Sequence, residues 1–315
     1  MHPCTASPND PFVWFGSESD SDATALARDS LQLERVLAKG LRPAVEIAAR
    51  LMQMLEDPEF RSTEVARLLE SEPVLAARVL GAANGPVFTL RQPCRSIRHA
   101  VSMLGARTIG ELTAAVAVSE LFGGSQAEAR LRSHAVSTAA LARELAQLLG
   151  RPSRDLFLAG LLHDLGKLVL LQGAVDERYG TGGQRYRELL ERRLGVSGGT
   201  HLLEQAALGF DHAAMGCAAL QAWGIPDPIP DLVGWHHSVE HARRDGGELS
   251  ASVCVLRLAD SLAHAFEGPR LQDQAAQLQL REPTAVAELG LDTEELGQII
   301  PRLQYVHASA AGMLD

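Results

Sequence analysis

The chain is poor in aromatic residues: Phe, Trp and Tyr make up 4% of its 315 residues. β-Sandwiches draw on aromatic and β-branched residues for their pleated faces, and no stretch here alternates apolar and polar over a useful length. With Ala and Leu abundant, this shortage predicts an all-α protein. Cysteine is scarce too. Cys4, Cys94, Cys217 and Cys254 stand apart with no Cys-x-x-Cys pair. They read as reduced thiols, mostly core filler, in a cytoplasmic protein. Positive charge is in deficit, with 29 Lys and Arg against 39 Asp and Glu and a formal charge of −10. Such a chain offers no electrostatic footprint for DNA or RNA, so direct nucleic-acid binding is not expected. Met1-His2-Pro3-Cys4 leads into a polar segment rather than a basic and then apolar one, so no signal peptide is expected. The longest apolar stretch, around Leu156 to Leu171, is interrupted by His163, Asp164 and Lys167 and is too polar to span a bilayer.

What the chain does have is helical periodicity. Residues 1–22 are rich in Ser, Asp and Pro and read as a flexible acidic tail. Residues 23–40 are expected to form one helix ending at Gly40. From there Val45, Ala48, Leu51, Met52 and Leu55 share a face. Short helices follow over Thr63–Glu70, from Pro73 to Asn84, around Ile97–Leu104 with Gly105 as stop signal, and over Ile109–Phe122. Gly123-Gly124-Ser125 reads as a hinge, giving a first helical lobe over 41–124 and a second over 125–310. The second lobe is expected to carry helices over His134–Leu149, Arg154–Leu171, Arg185–Leu194, Thr200–Ala207, His212–Trp223, Pro230–His236 and Ala251–Ala265. Glycine-rich loops fall at Gly180–Gly183 and Gly195–Gly199. Asp292-Thr293-Glu294-Glu295 has the spacing of a capping box ahead of a last helix.

The residues able to do chemistry cluster in the second lobe. His163-Asp164 interrupts the apolar run Leu158 to Lys167, and a buried imidazole beside a carboxylate is costly unless both are satisfied. His134 falls on the inward face of its helix with Leu141, Leu145 and Leu148. His212 opens a helix, His236-His237 closes another, and Asp260 shares a face with Val253, Leu256 and Ala263. Each alone reads as an ordinary hydrogen-bonded core residue or helix cap. The ordered series His, His-Asp, His, His-His, Asp reads jointly as a metal-site pattern, and its imidazole and carboxylate donors suit Fe, Mn, Zn or Ni better than Ca or Mg.

The segment Ala159-Gly160-Leu161-Leu162-His163-Asp164-Leu165-Gly166-Lys167 resembles the signature of the HD superfamily of metal-dependent phosphohydrolases. With the run from Ser71 to Asn84, Ser96 to Val101, Leu104-Gly105, Glu204, Gly209 to His212, Trp223 to Pro226 and Trp235 to Ser238, the chain resembles the HDOD (HD-related output domain) family over roughly Gly40 to Leu303. The resemblance implies an N-terminal helical bundle packed on an HD-like helical bundle, and a role in bacterial signal transduction. It implies a first metal site of His134, His163, Asp164 and Asp260. A second would draw on His212, His236 and His237, with Asp164 bridging. Lys167, one turn after His163, would neutralise a phosphate oxygen; as a residue alone it reads as a solvated lysine at a helix end. The Gly-Tyr-Pro segment of the cyclic-di-GMP-cleaving relatives is missing after His236-His237, which speaks against that substrate.

Three functions follow as expectations. The first is a non-enzymatic regulatory protein that acts on signalling proteins through protein–protein contact, with or without a retained metal site. The second is a metal-dependent phosphohydrolase or phosphodiesterase acting on nucleotides or cyclic dinucleotides. The third is a module that binds a nucleotide without hydrolysing it. Convergence of the His and Asp series in space would favour the metal readings. A centre filled by Arg or Lys would favour the scaffold.

Overall fold

A computed structural model describes residues 41–56, 61–70, 72–85, 92–151, 155–172, 199–240, 247–267 and 274–311, with residues 27, 88, 90, 186, 188, 190 and 242 between them. The tail over 1–22, all of the helix expected over 23–40 except a helical Ala27, the helix expected over 185–194 except residues 186, 188 and 190, and the glycine loops lie outside the described residues, save Gly199.

The first lobe comprises α1 (Leu41–Glu56), α2 (Ser62–Glu70), α3 (Pro73–Ala83), α4 (Ile97–Leu104) and α5 (Ala106–Ser119). α5 is apolar on nearly every side, as a helix at the centre of a bundle must be, and it packs on α1, α3, α4 and α2. Gly105 takes φ 86°, a conformation open to glycine, and so ends α4 and starts α5. The Asn84 side chain closes the loop after α3 by accepting from the Cys94 amide (2.7 Å) and donating to its carbonyl (2.9 Å).

The second lobe comprises α6 (Gln126–Leu148), α7 (Leu156–Leu162), α8 (Leu165–Leu171), α9 (Thr200–Leu208), α10 (His212–Ala222), α11 (Ile229–Trp235), α12 (Gly247–Glu267), α13 (Gln274–Arg281), α14 (Pro283–Glu288) and α15 (Thr293–Ala311). Ser125, placed in the expected hinge, instead caps α6 in a capping box with Glu128. α6 packs on α7, α12 and α15, and α10 packs on α8 and α11. The capping box expected at Asp292 is formed, with Glu295 N–H donating to Asp292 (2.8 Å) and Asp292 N–H to Glu295 (2.9 Å). α12 is long and apolar enough to cross a bilayer, but most of that span is buried inside the protein. Cys94, Cys217 and Cys254 are buried thiols.

One expected element differs. The helix anticipated over Arg154–Leu171 is two short helices, α7 and α8, broken at His163-Asp164, where Asp164 adopts φ −97°, ψ 12°. The two pieces serve different neighbours. A Cβ on Gly160 would lie 2.6 Å from Ala139 Cα, so glycine lets α7 press against the α6 backbone. A Cβ on Gly166 would overlap the carbonyl of His212, so glycine lets α8 press against α10. The break turns two consecutive polar side chains into the same interior, where both are buried.

The lobes meet where α5 packs on α7. Arg143 of α6 donates to Glu111 of α5, and its guanidinium lies over the Phe157 ring at 5.8 Å. Burial pushes the Glu111 carboxyl up despite this partner.

Candidate metal centre

Three helices, the break between α7 and α8, and the end of α11 deliver the polar series to one place. His134 comes from α6, His163 and Asp164 from the α7–α8 break, and His212 from the first turn of α10. His236 and His237 follow α11, and Asp260 comes from α12. All are buried except His237, which is half-buried. Asp211 caps α10 by accepting from the Ala214 amide (2.9 Å), which fixes the turn that carries His212. Burial pushes the Asp211 carboxyl up to about 6.

Four imidazoles share one orientation. His163 Nδ1 bonds the Gly160 carbonyl at 2.8 Å and His236 Nδ1 the Val233 carbonyl at 2.7 Å. His212 Nδ1 lies 2.6 Å from Glu204, and His134 Nδ1 lies 3.3 Å from Glu267. In each case the outer nitrogen is held and Nε2 is turned inward. His134 Nε2 reaches Asp260 Oδ1 at 3.0 Å, and His212 Nε2 reaches Asp164 Oδ1 at 3.2 Å. His163 Nε2 lies 3.6 Å from Asp164 Oδ2 and 3.8 Å from Asp260 Oδ1. His163 Nε2 and His236 Nε2 are buried and find no hydrogen-bond partner among the described residues.

Among the described residues three sets, two of them sharing His134, each bring their donor atoms within 4.8 Å of one another: His134, His163 and Asp164; His134, Asp260 and His264; and His212, His236 and His237. Asp164 spans two of these groups, with Oδ1 on His212 and Oδ2 beside His163. Buried polar atoms without partners are rare and costly. A divalent metal is the partner that inward Nε2 lone pairs and two carboxylates fit, and outer-nitrogen bonds to carboxylates and carbonyls are how proteins orient metal-binding imidazoles. The donor set therefore fits Fe, Mn, Zn or Ni.

Cations also enter the centre. Lys167 is buried and donates to Asp164 Oδ2 at 2.7 Å, so it is not the solvated lysine that its place at a helix end suggested. Burial works against its charge, but Asp164, Glu204 and Asp260 together outweigh this and raise its pKa. Arg257 donates to Asp260 (3.3 Å), to Glu282 through Nε (2.8 Å) and Nη2 (2.8 Å), and to His237 Nδ1 (2.9 Å). Despite burial, these cations and the surrounding imidazoles hold Asp164 and Asp260 well below the usual carboxylate range. Burial alone would lower the His134 and His212 pKa values; the bonds of His134 to Asp260 and Glu267 lift it to about 10, and the charges of Glu204 and Asp164 lift His212 to about 9. His163, His236 and His237 go the other way, chiefly through burial.

Five participants escaped the sequence reading: His201, His264, Glu267, Arg257 and Glu282. His264 stacks on His134 (4.1 Å between centroids) and lies 3.4 Å from Asp260, four residues earlier on α12. That i,i+4 spacing from Asp260 was the available signal. His201 stacks on His237 at 4.2 Å. Burial lowers His201 to about 3 and His264 to about 4. A cavity of about 360 Å³ opens beside the cluster, lined by Lys167, His201, His237, Arg257, His264 and Arg281 among others.

The HDOD domain profile matches residues 41–239, well over half of the chain. The chain belongs to the HDOD family. Among solved structures, an HDOD domain protein of unknown function from Geobacter sulfurreducens shares the fold with a TM-score of 0.70 at 23% identity, covering 93% of this chain and 98% of its own. A protein from Shewanella amazonensis SB2B, whose name proposes a phosphohydrolase, superposes with a TM-score of 0.65 at 21% identity over 91% of this chain and all of its own. Among curated relatives, an uncharacterized protein of Treponema pallidum is 24% identical over 215 residues, and the 3'-5' exoribonuclease YhaM of Bacillus licheniformis is 27% identical over 176 residues. These alignments cover 66% and 54% of this HDOD chain but only 40% and 54% of the two relatives.

Proposed function

We propose that the second lobe is a divalent-metal phosphohydrolase for a small nucleotide-like phosphate ester, set in a cytoplasmic signalling protein. The observation that carries this reading is the common orientation of His134, His163, His212 and His236, outer nitrogen tied and Nε2 inward, around Asp164 and Asp260. His134, His163, Asp164 and Asp260 would hold one metal, and His212 and His236 with Asp164 a second. When bound there, the metal supplies Lewis-acid activation of water and charge neutralisation at phosphorus. The chain's own groups supply the rest. Lys167 and Arg281 line the cavity and present cations to an anionic ester. Glu204 and Glu267 hold two imidazoles in position. The cavity volume suits a small molecule. The net charge of −10 repels a polyanion, so a small ester is preferred to RNA, in spite of the likeness to an exoribonuclease.

The test is turnover of bis(p-nitrophenyl) phosphate and a nucleotide panel with Mn, Fe or Mg supplied. Metal-dependent hydrolysis that Asp164→Asn abolishes is expected. Saturable binding that leaves the nucleotide intact would replace the reading with a sensor. Inertness toward both would leave a protein-interaction scaffold.

One observation favours a regulatory role beside the chemistry. α5 of the first lobe packs on α7, and α7 ends at His163. A signalling protein bound to the first lobe would therefore press on the element that delivers the His-Asp pair.

A further inference from the structure

A second cavity, of about 250 Å³, opens between the end of α6 and the first turns of α7 and α12. It shares no lining residue with the cavity at the metal centre. Two side chains of opposite charge line it, the half-buried Arg151 and the exposed Glu248. Gly150 takes φ 60° and turns the chain out of α6. The Gly150 amide then donates to the Gln147 carbonyl (3.1 Å) and the Arg151 amide to the Ala146 carbonyl (2.9 Å). This closure of the helix end fixes the backbone that carries Arg151. Glu248 stands in the first turn of α12, on the same face as Ala251, Ser252 and Val255.

Among the described residues neither charged side chain makes a hydrogen bond or ion pair, although both line one small cavity. A guanidinium with free donors is a ready partner for a carboxylate, and a free carboxylate for an ammonium. Opposite charges that share a cavity without closing on each other leave room for a ligand between them. A lone anion drawn to Arg151 would be repelled by Glu248, and a lone cation drawn to Glu248 would be repelled by Arg151. A ligand that carries both charges satisfies both side chains. The rest of the wall is mainly apolar: Leu156, Ala251 and Val255 are buried, and Ser252 adds one hydroxyl. The volume falls short of the roughly 300–1,000 Å³ usual for drug-sized ligands, so it suits a molecule smaller than a nucleotide.

We propose that this cavity binds a free amino acid with a branched apolar side chain. Arg151 receives the α-carboxylate and Glu248 the α-ammonium, two groups that an amino acid carries on one carbon. Leu156, Ala251 and Val255 take the side chain. The site uses no residue of the metal centre and does not rest on the phosphohydrolase reading. Leu156 is the first residue of α7, whose other end leads to His163, so the bound amino acid touches the element that delivers the His-Asp pair.

Calorimetric titration of the full chain, in chelator, with L-leucine, 4-methylpentanoate and 3-methylbutylamine tests this. The three share one apolar body and carry both charges, the carboxylate alone and the ammonium alone. Saturable binding of one equivalent of L-leucine is expected, with each single-charge analogue weaker by about tenfold or more, the scale of one hydrogen bond to a charged group. Arg151→Gln should weaken L-leucine by a similar factor, and so should Glu248→Gln. Asp164→Asn, which alters the metal centre alone, should leave L-leucine binding unchanged. No saturable binding of L-leucine to the wild type would overturn the proposal. Equal affinity for 4-methylpentanoate would reduce the cavity to a site for simple anions and overturn it too. Binding that survives Arg151→Gln unchanged, or that is lost in Asp164→Asn, would place the amino acid elsewhere and overturn the assignment of this cavity.

Discussion

Glu204 shows how much of the centre depends on residues one step removed from it. Its carboxylate accepts from the Tyr186 hydroxyl, from the His212 amide at 2.8 Å and from His212 Nδ1. Glu204→Gln should keep the fold but weaken metal binding about 10- to 100-fold, the range seen when outer partners of metal-binding imidazoles are removed. Calorimetric titration with Mn(II) measures it. At this scale the sequence was unusually legible. His134, His163, Asp164, His212, His236, His237 and Asp260 all reach one interior, because each is a polar residue on, or at the end of, an otherwise apolar helix. Arg257 and Glu282 were not legible. Charged residues at helix positions read as solvent-facing until the packing of α12 against α14 shows that they close on each other.

The imidazoles also set a pH dependence. His134 at about 10 and His212 at about 9 are raised above the ordinary 6.5. Their contribution to the stability of the metal-free protein is full below about pH 6.5 and is lost as pH rises through 9 to 10. His201 at about 3 and His264 at about 4 are lowered, so their contribution is full above about 6.5 and is lost as pH falls toward 4. Thermal unfolding in chelator should therefore peak near pH 6.5 and fall on both sides. Metal competes with protons for the same nitrogens, so its added stabilisation should grow with pH and move the optimum upward. A metal-free optimum above pH 9 would contradict these assignments.

At the scale of elements, the break between α7 and α8 is the decisive local feature. Periodicity predicted one continuous helix there, and an apolar run has no signal for a two-residue break. The relevant signal was Gly160 and Gly166, whose meaning is the close approach of another backbone rather than flexibility. Gly166→Ala would force a methyl group into the His212 carbonyl and separate α8 from α10. We expect destabilisation of about 1–3 kcal/mol by overpacking, together with weakened metal binding, because His212 and Asp164 lie on the two helices being parted. Urea unfolding and Mn(II) titration of the same variant check both. The short helices α13 and α14 were also missed. Gln274–Arg281 buries only Ala275 and Leu278, too sparse a pattern to stand out.

At the scale of the molecule, the all-α two-lobe architecture followed from composition, period and the family resemblance, and the TM-score of 0.70 to another HDOD domain protein agrees with it. The way in which the lobes meet did not follow, since nothing in the spacing of α5 says that it packs on α7. That contact, with Glu111, Arg143 and Phe157 beside it, couples the first lobe to the His163-Asp164 break. Calorimetry should show both lobes unfolding in a single transition that metal moves to higher temperature as a unit. Separate transitions, with only one moved by metal, would mean that the lobes are energetically independent.

The central claim is a metal centre built by His134, His163, His212, His236, Asp164 and Asp260. Elemental analysis of the untagged protein, before and after equilibration with Mn(II), beside Asp164→Asn tests it most directly. One or two equivalents of Fe, Mn, Zn or Ni in the wild type, lost in a variant that remains folded, is the predicted result. A folded wild type that neither carries nor takes up a stoichiometric metal would contradict it.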